Sequence, residues 1–141
     1  MLKKTIKYVN YNGEEKEVKA YFNFTATELI DRFGDAELDP KTAVKTMKDN
    51  IDAKELSKTL ENIILDAYGV VSPDGDEFVK TQQVKDDFKR TAAFETLKWE
   101  LIQDPNAALD FLISTFPSNL QKEINTEEIK AEAQKLVNED N

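Results

Sequence analysis

"KKTIKYVNYNGEEKEVKAYFNF", residues 3 to 24, is the stretch whose reading decides the fold. Ile6 and Tyr8 alternate on one face of a first run; Asn12-Gly13 follows; Val18, Ala20, Phe22 and Phe24 then recur at period two. Asn-Gly between two alternating runs is the strongest short-range hairpin signal, because a type I′ turn needs positive φ at both central residues. A lone hairpin is marginal in water, so the apolar face over 18–24 must pack on a second layer. Helices follow to provide it.

Thr25-Ala26-Thr27-Glu28 reads as a capping box ahead of Leu29, Ile30 and Phe33. Gly34 interrupts, and Asp39-Pro40 supplies an N-cap and an N1 proline for a helix carrying Val44, Met47 and Ile51. Asp52 and Glu55 repeat the capping-box spacing before Leu56, Leu60, Ile63, Ile64 and Ala67, and Gly69 stands where a C′ residue is expected. Thr81 opens another helix that runs to about Gln103. Asp104-Pro105 restarts the chain with Ala108, Phe111, Leu112 and Ile113 until Pro117 closes it. Past Leu120 the apolar density falls, leaving a Thr126-capped amphipathic segment with Ile129, Leu136 and Val137. The pattern predicts an α+β fold, an N-terminal β-hairpin packed on a mainly α-helical body of about four to six helices. One globular domain is expected over 1–119, with a charged helical tail over 120–141.

At 141 residues the chain is long enough to bury roughly 70% of the surface its unfolded form exposes. Eight Phe, four Tyr and one Trp supply a core. The 28 acidic residues against 19 basic ones give a net charge of −9, which argues against phosphate-driven nucleic-acid binding. That charge suits a protein that must stay dispersed or meet a basic partner. Cysteine and histidine are both absent. No disulfide, thiolate or imidazole chemistry is therefore possible, and no zinc site of the usual kinds. Carboxylate-only hydrolysis and oxygen-ligated magnesium remain chemically open. No phosphate-cradling glycine motif occurs among the four glycines. The lysines of "MLKKTIKYVNYNG" have no apolar region behind them, so neither a signal peptide nor a membrane span is read, and a cytosolic protein is expected.

"VVSPDGDEFVKT", residues 70 to 81, sets Asp74, Asp76 and Glu77 beside a glycine. Calcium-loop spacing fails, because Phe78, Val79 and Lys85 fall where a ligand, the glycine and the bidentate glutamate belong. Ser72-Pro73-Asp74-Gly75 is turn chemistry, flanked by short extended pieces at Val70-Val71 and Phe78-Val79. The carboxylates are expected to be solvated, with no metal bound.

The helix from Thr81 carries two apolar stripes at 100° per residue. Val84, Phe88, Ala92, Trp99 and Ile102 form one; Phe94, Leu97 and Leu101 form the other. A surface helix needs a single stripe for the core. Phe94, Leu97, Leu101 and Trp99 are therefore the candidate partner-binding residues. A break near Thr91, or burial on both sides, would instead place these stripes in the core.

The order of these signals resembles the tail assembly chaperones of long-tailed phages and prophages, especially those of Gram-positive hosts. The resemblance rests on Tyr21-Phe22-Asn23-Phe24-Thr25 with Glu28-Leu29, then Ala67-Tyr68-Gly69, Ser72, Asp74-Gly75, Phe78 and Lys80. Phe88, Thr91, Ala93-Phe94, Asp104-Pro105, Ala108 and Phe111 complete it, over roughly residues 3 to 117. Residues 34–50 carry no part of the pattern.

The resemblance implies a non-enzymatic protein that needs no cofactor and coats the tape measure protein, keeping it soluble. It implies help in recruiting tail tube subunits, with the major tail protein met through a frameshift-extended product. It also implies action in the host cytoplasm and absence from the mature virion. Weak homo-oligomerisation without the client is a further expectation. Two competitors from other classes are an acidic inhibitor mimicking DNA and a carboxylate-only hydrolase. Against the first, the acids interleave with lysines in "DAKELSK" and "VKDDFKR". Against the second, no two acids sit on segments that look like a pocket.

Overall fold

The computed structural model describes residues 1–33 and 53–118. The two period-two runs become strands β1 (Leu2–Val9) and β2 (Glu15–Phe22), antiparallel with Ile6 opposite Val18 and Val9 opposite Glu15. The turn between them is not type I′. Gly13 alone takes positive φ, at 81°, and its N–H donates to the Asn10 carbonyl at 3.0 Å. The Asn10 N–H donates to the Glu14 carbonyl at 2.9 Å, which leaves a three-residue loop of the type I plus bulge kind. The cause is Asn10, whose side-chain oxygen accepts the Asn12 and Glu14 N–H groups at 3.0 and 2.9 Å. Those bonds hold Asn12 at negative φ, so glycine is required only at position 13.

The predicted capping box forms at the start of α1 (Ala26–Phe33). Glu28 N–H donates to Thr25 Oγ1 at 3.1 Å, and Thr25 N–H donates back to Glu28 Oε1 at 2.9 Å. The other Glu28 oxygen accepts from Lys80 Nζ at 2.7 Å, and the same ammonium donates to the Asn23 carbonyl at 2.7 Å. Burial acts to raise the Glu28 pKa, but the Lys80 and Thr25 hydrogen bonds and the Lys80 charge outweigh it and hold the carboxyl below the usual glutamate value.

Helix α2 (Ala53–Ala67) runs without a loop into β3 (Tyr68–Val71), which turns back as β4 (Phe78–Val79). Gly69 is therefore a strand residue, not the C′ residue of the preceding helix. A Cβ there would lie 2.7 Å from the outer edge of the half-buried Phe78 ring, so any larger residue would force that ring to move. Strand β3 pairs with β2 through Tyr21 opposite Gly69 and Phe22 opposite Tyr68, so the hairpin widens into a four-stranded antiparallel sheet in the order β1-β2-β3-β4. The basic group that the last turn of α2 lacks comes from elsewhere in the chain, as Lys85 Nζ donates to the Leu65 carbonyl.

The expected single helix from Thr81 is two helices, α3 (Gln82–Lys89) and α4 (Ala92–Gln103). Thr91 divides them: its backbone is extended, and its hydroxyl accepts the Phe94 N–H at 3.1 Å while donating to the Phe88 carbonyl at 2.7 Å. Each residue after the break is rotated relative to a continuous helix, so the two stripes do not persist as drawn. Helix α5 (Pro105–Ser114) starts as predicted, with Asp104 accepting the Asn106 and Ala107 N–H groups at 3.0 and 3.2 Å. An N-cap of this kind stabilises a helix by about 1 kcal/mol.

The core lies between one sheet face and the helices, centred on Phe22. Its ring meets those of Phe111 at 4.9 Å, Tyr68 at 5.7 Å and Phe88 at 6.1 Å. Leu29, Leu60, Ile64, Leu97, Leu101 and Leu112 surround this cluster fully buried, each contributing about 1.5–3 kcal/mol of apolar transfer. Behind it, the Phe24 N–H donates to the carbonyl of buried Thr115 at 2.9 Å, joining the end of the hairpin to the end of α5. The helix predicted after Asp39-Pro40, the Asp52 cap and the 120–141 tail lie outside the described residues.

Candidate partner-binding surface

On its helix-facing side β2 is exposed at Lys16, partly exposed at Val18 and buried from Ala20 on. There an open groove of about 260 Å³ lies between β2, β3, α3 and the start of α4. Its floor is Tyr8, Val18 and Val70, and its far wall is Val84 and Phe88. Val18 and Val70 remain 37% and 45% exposed although both project to the core side of the sheet.

The groove is apolar but has one polar corner. Tyr68 stacks on Phe88 with ring centroids 3.9 Å apart and planes within 8°. Burial, assisted by the nearby Asp87 charge, pushes the Tyr68 phenol above its ordinary pKa. Asp87 itself is engaged by Arg90 and by the Gln83 amide. A surface of this make-up can bury an apolar side chain and offer a hydroxyl at its edge.

Of the four residues singled out from sequence, the structure divides three from one. Phe94, Leu97 and Leu101 point into the core at 3%, 0% and 2% exposure. The break at Thr91 causes this, by giving α4 its own register with those side chains turned inward. Trp99 alone of the four is exposed, at 56%, on the outer stripe of α4 with Glu95 and Gln103. The groove residues are not a site in the sequence: Val18 reads as part of the hairpin's packing face, Val70 as an extended piece beside the turn, and Val84 as one member of an apolar stripe. Their shared groove exists only in the packing of β2 and β3 against α3.

The acidic turn at 72–77 is built from its own hydrogen bonds. Asp74 Oδ1 accepts from Ser72 Oγ at 2.6 Å and from the Asp76 N–H at 3.0 Å, and Gly75 takes φ of 81°. The Ser72 and Asp76 donors hold the fully exposed Asp74 carboxyl below its ordinary pKa. Glu77 N–H donates to Ser72 Oγ at 3.0 Å and closes the loop. Among the described residues, no three His, Cys, Asp or Glu side chains gather as a metal site, and no helix is long and apolar enough to cross a membrane.

A family model described as phage tail assembly chaperone matches residues 1–141, and the chain belongs to that family. No curated protein and no solved structure matches the chain.

Proposed function

From membership in the phage tail assembly chaperone family, we propose that this protein binds the tape measure protein in the host cytoplasm, keeps it soluble, and helps bring tail tube subunits to it without becoming part of the virion. The observation that carries the reading is the open apolar groove beside β2, with Val18 and Val70 left half-covered in an otherwise sealed core. An apolar side chain from a helical client would complete their burial, stabilising the contact by about 1 kcal/mol for each valine. Trp99 is a second contact, separate from the groove, of the large amphipathic kind that anchors interfaces.

So small a groove gives weak binding per copy. Weak single contacts suit a protein that coats a long client in many copies and must later be displaced by tube subunits, since repeated engagement multiplies affinity. The net charge of −9 keeps such an assembly dispersed.

Co-expression with a tape measure fragment tests the proposal. The fragment should be soluble and co-purify with the wild-type chain, and precipitate with Val18→Glu/Val70→Glu at a temperature where circular dichroism shows that variant, though less stable, still folded. Because the contact is apolar, added salt should weaken capture little. Precipitation of the fragment with the wild-type chain present would refute the role. Steeply salt-dependent binding to a DNA-processing enzyme would favour the DNA-mimic reading in its place.

A further inference from the structure

We propose that the outer edge of β1 is a second docking site, one that takes an acidic, extended segment of a partner polypeptide as an added strand. Three observations converge on it. First, β1 is the terminal strand of the sheet, and among the described residues its eight residues pair with β2 on one side only. Its outward N–H and C=O groups, otherwise met by water, form a template on which another extended chain can add as a strand.

Second, the strand's charge is opposite to that of the molecule. Residues 1–13 hold Lys3, Lys4 and Lys7 and no acid, so the remaining residues carry −12 of a chain whose net charge is −9. Lys3 and Lys7 project from the solvent face of the sheet, both exposed. Lys3 lies over the Tyr21 ring at 5.8 Å, and Lys7, directly across from Glu17 on β2, makes no salt bridge among the described residues. Lys4, on the other face, is the one held by the body, 3.8 Å from Glu100.

Third, the lysines argue against a second copy as the occupant. An antiparallel pairing of two β1 strands brings six lysines and no acid together, and centred on Thr5 it sets Lys3 opposite Lys7; centred on Ile6 it sets Lys3, Lys4 and Lys7 opposite Val9, Tyr8 and Thr5, where only the summed charge opposes it. Like charges directly opposed destabilise a strand pair. A strand with glutamates four residues apart meets Lys3 and Lys7 with the opposite sign. This site is apart from the Val18–Val70 groove, which opens on the helix-facing side, and it does not depend on that groove's occupant.

The test uses the full chain and an acetylated, amidated peptide, Thr-Thr-Glu-Val-Thr-Val-Glu-Thr-Thr, beside a control of equal charge with both valines replaced by proline. Hydrogen exchange should slow in β1 when the first peptide is added. That peptide should bind at least about tenfold more tightly than the proline control, and binding should fall by a similar factor at high salt or in Lys3→Glu/Lys7→Glu. Lys3→Gln/Lys7→Gln, which adds no acid beside Glu17, should show the same loss with an unchanged circular dichroism spectrum. Equal binding of the two peptides, unchanged exchange in β1, or undiminished binding by the Gln variant would each overturn the proposal. Slowed exchange in β1 that rises with protein concentration in the absence of peptide would also overturn it, in favour of a second copy.

Discussion

Leu97→Ala and Trp99→Gln, two substitutions two residues apart on α4, should have opposite consequences. Leu97 is 0% exposed within the main cluster, so its truncation removes three carbons from a closed interior. Transfer alone costs about 2.4 kcal/mol, at about 0.8 kcal/mol per methylene, and the residual cavity raises the loss to about 3–5 kcal/mol. That is a large part of a typical total of about 5–15 kcal/mol, and lowers the melting temperature by about 10–20 °C. Trp99 is 56% exposed, and Gln keeps part of its aliphatic cover, so that change should cost about 1 kcal/mol or less. Urea unfolding followed by far-UV circular dichroism gives both numbers, and client capture is read on the same samples. Trp99→Gln should weaken capture with stability nearly intact, whereas Leu97→Ala should lose capture only in proportion to the fraction unfolded. If Leu97→Ala costs under about 1 kcal/mol while Trp99→Gln costs 3 or more, the register of α4 set by Thr91 is wrong, and the core assignment of Phe94, Leu97 and Leu101 fails with it.

Gly69→Ala should destabilise by about 1–3 kcal/mol through collision with the Phe78 ring 2.7 Å away, and by less in a Phe78→Leu background, which urea titration of the double-mutant cycle will show. Thr91→Ala should cost about 1 kcal/mol by removing the α4 cap, with Thr91→Ser recovering most of it in the same titration. The lowered pKa of Glu28 means that the unfolded chain takes up this proton first on acidification, so its contribution is present above the usual glutamate pKa and is lost as pH falls through the lowered folded value. Melting temperature measured against pH should therefore fall less steeply on the acid side in Glu28→Gln than in wild type.

The local signals in the sequence were read at close range and held at close range. Asn12-Gly13, Thr25 with Glu28, the turn at 72–75 and Asp104-Pro105 each act within a few residues, and each forms in the structure where its chemistry lies. The turn type at Gly13 differs from the one the dipeptide predicts because Asn10, outside the dipeptide, controls the donors. The pairing of Tyr21-Phe22 with Tyr68-Gly69 joins residues far apart in the chain, and no local propensity marks it. It also explains why Gly69 looked like a helix terminator, since glycine after an apolar helix serves either role until the partner strand is known. A break near Thr91 is one of the two alternatives the sequence leaves open for this run; composition does not separate a capping threonine from one facing solvent, and the Phe94 N–H on its hydroxyl decides for the break. The groove was the least legible feature. It arises where β2, β3, α3 and the start of α4 meet, a property of their assembly that no single segment encodes.

The groove as the client's seat is tested most directly by site-specific photocrosslinking in cells that co-express a tape measure fragment. A photoreactive phenylalanine analogue at Val70, on the groove floor, should join covalently to the fragment, while the same group at Glu17, on the opposite face of the sheet, should not. Crosslinking from position 17 with none from position 70 would contradict the account, and place the client on the other side of the sheet.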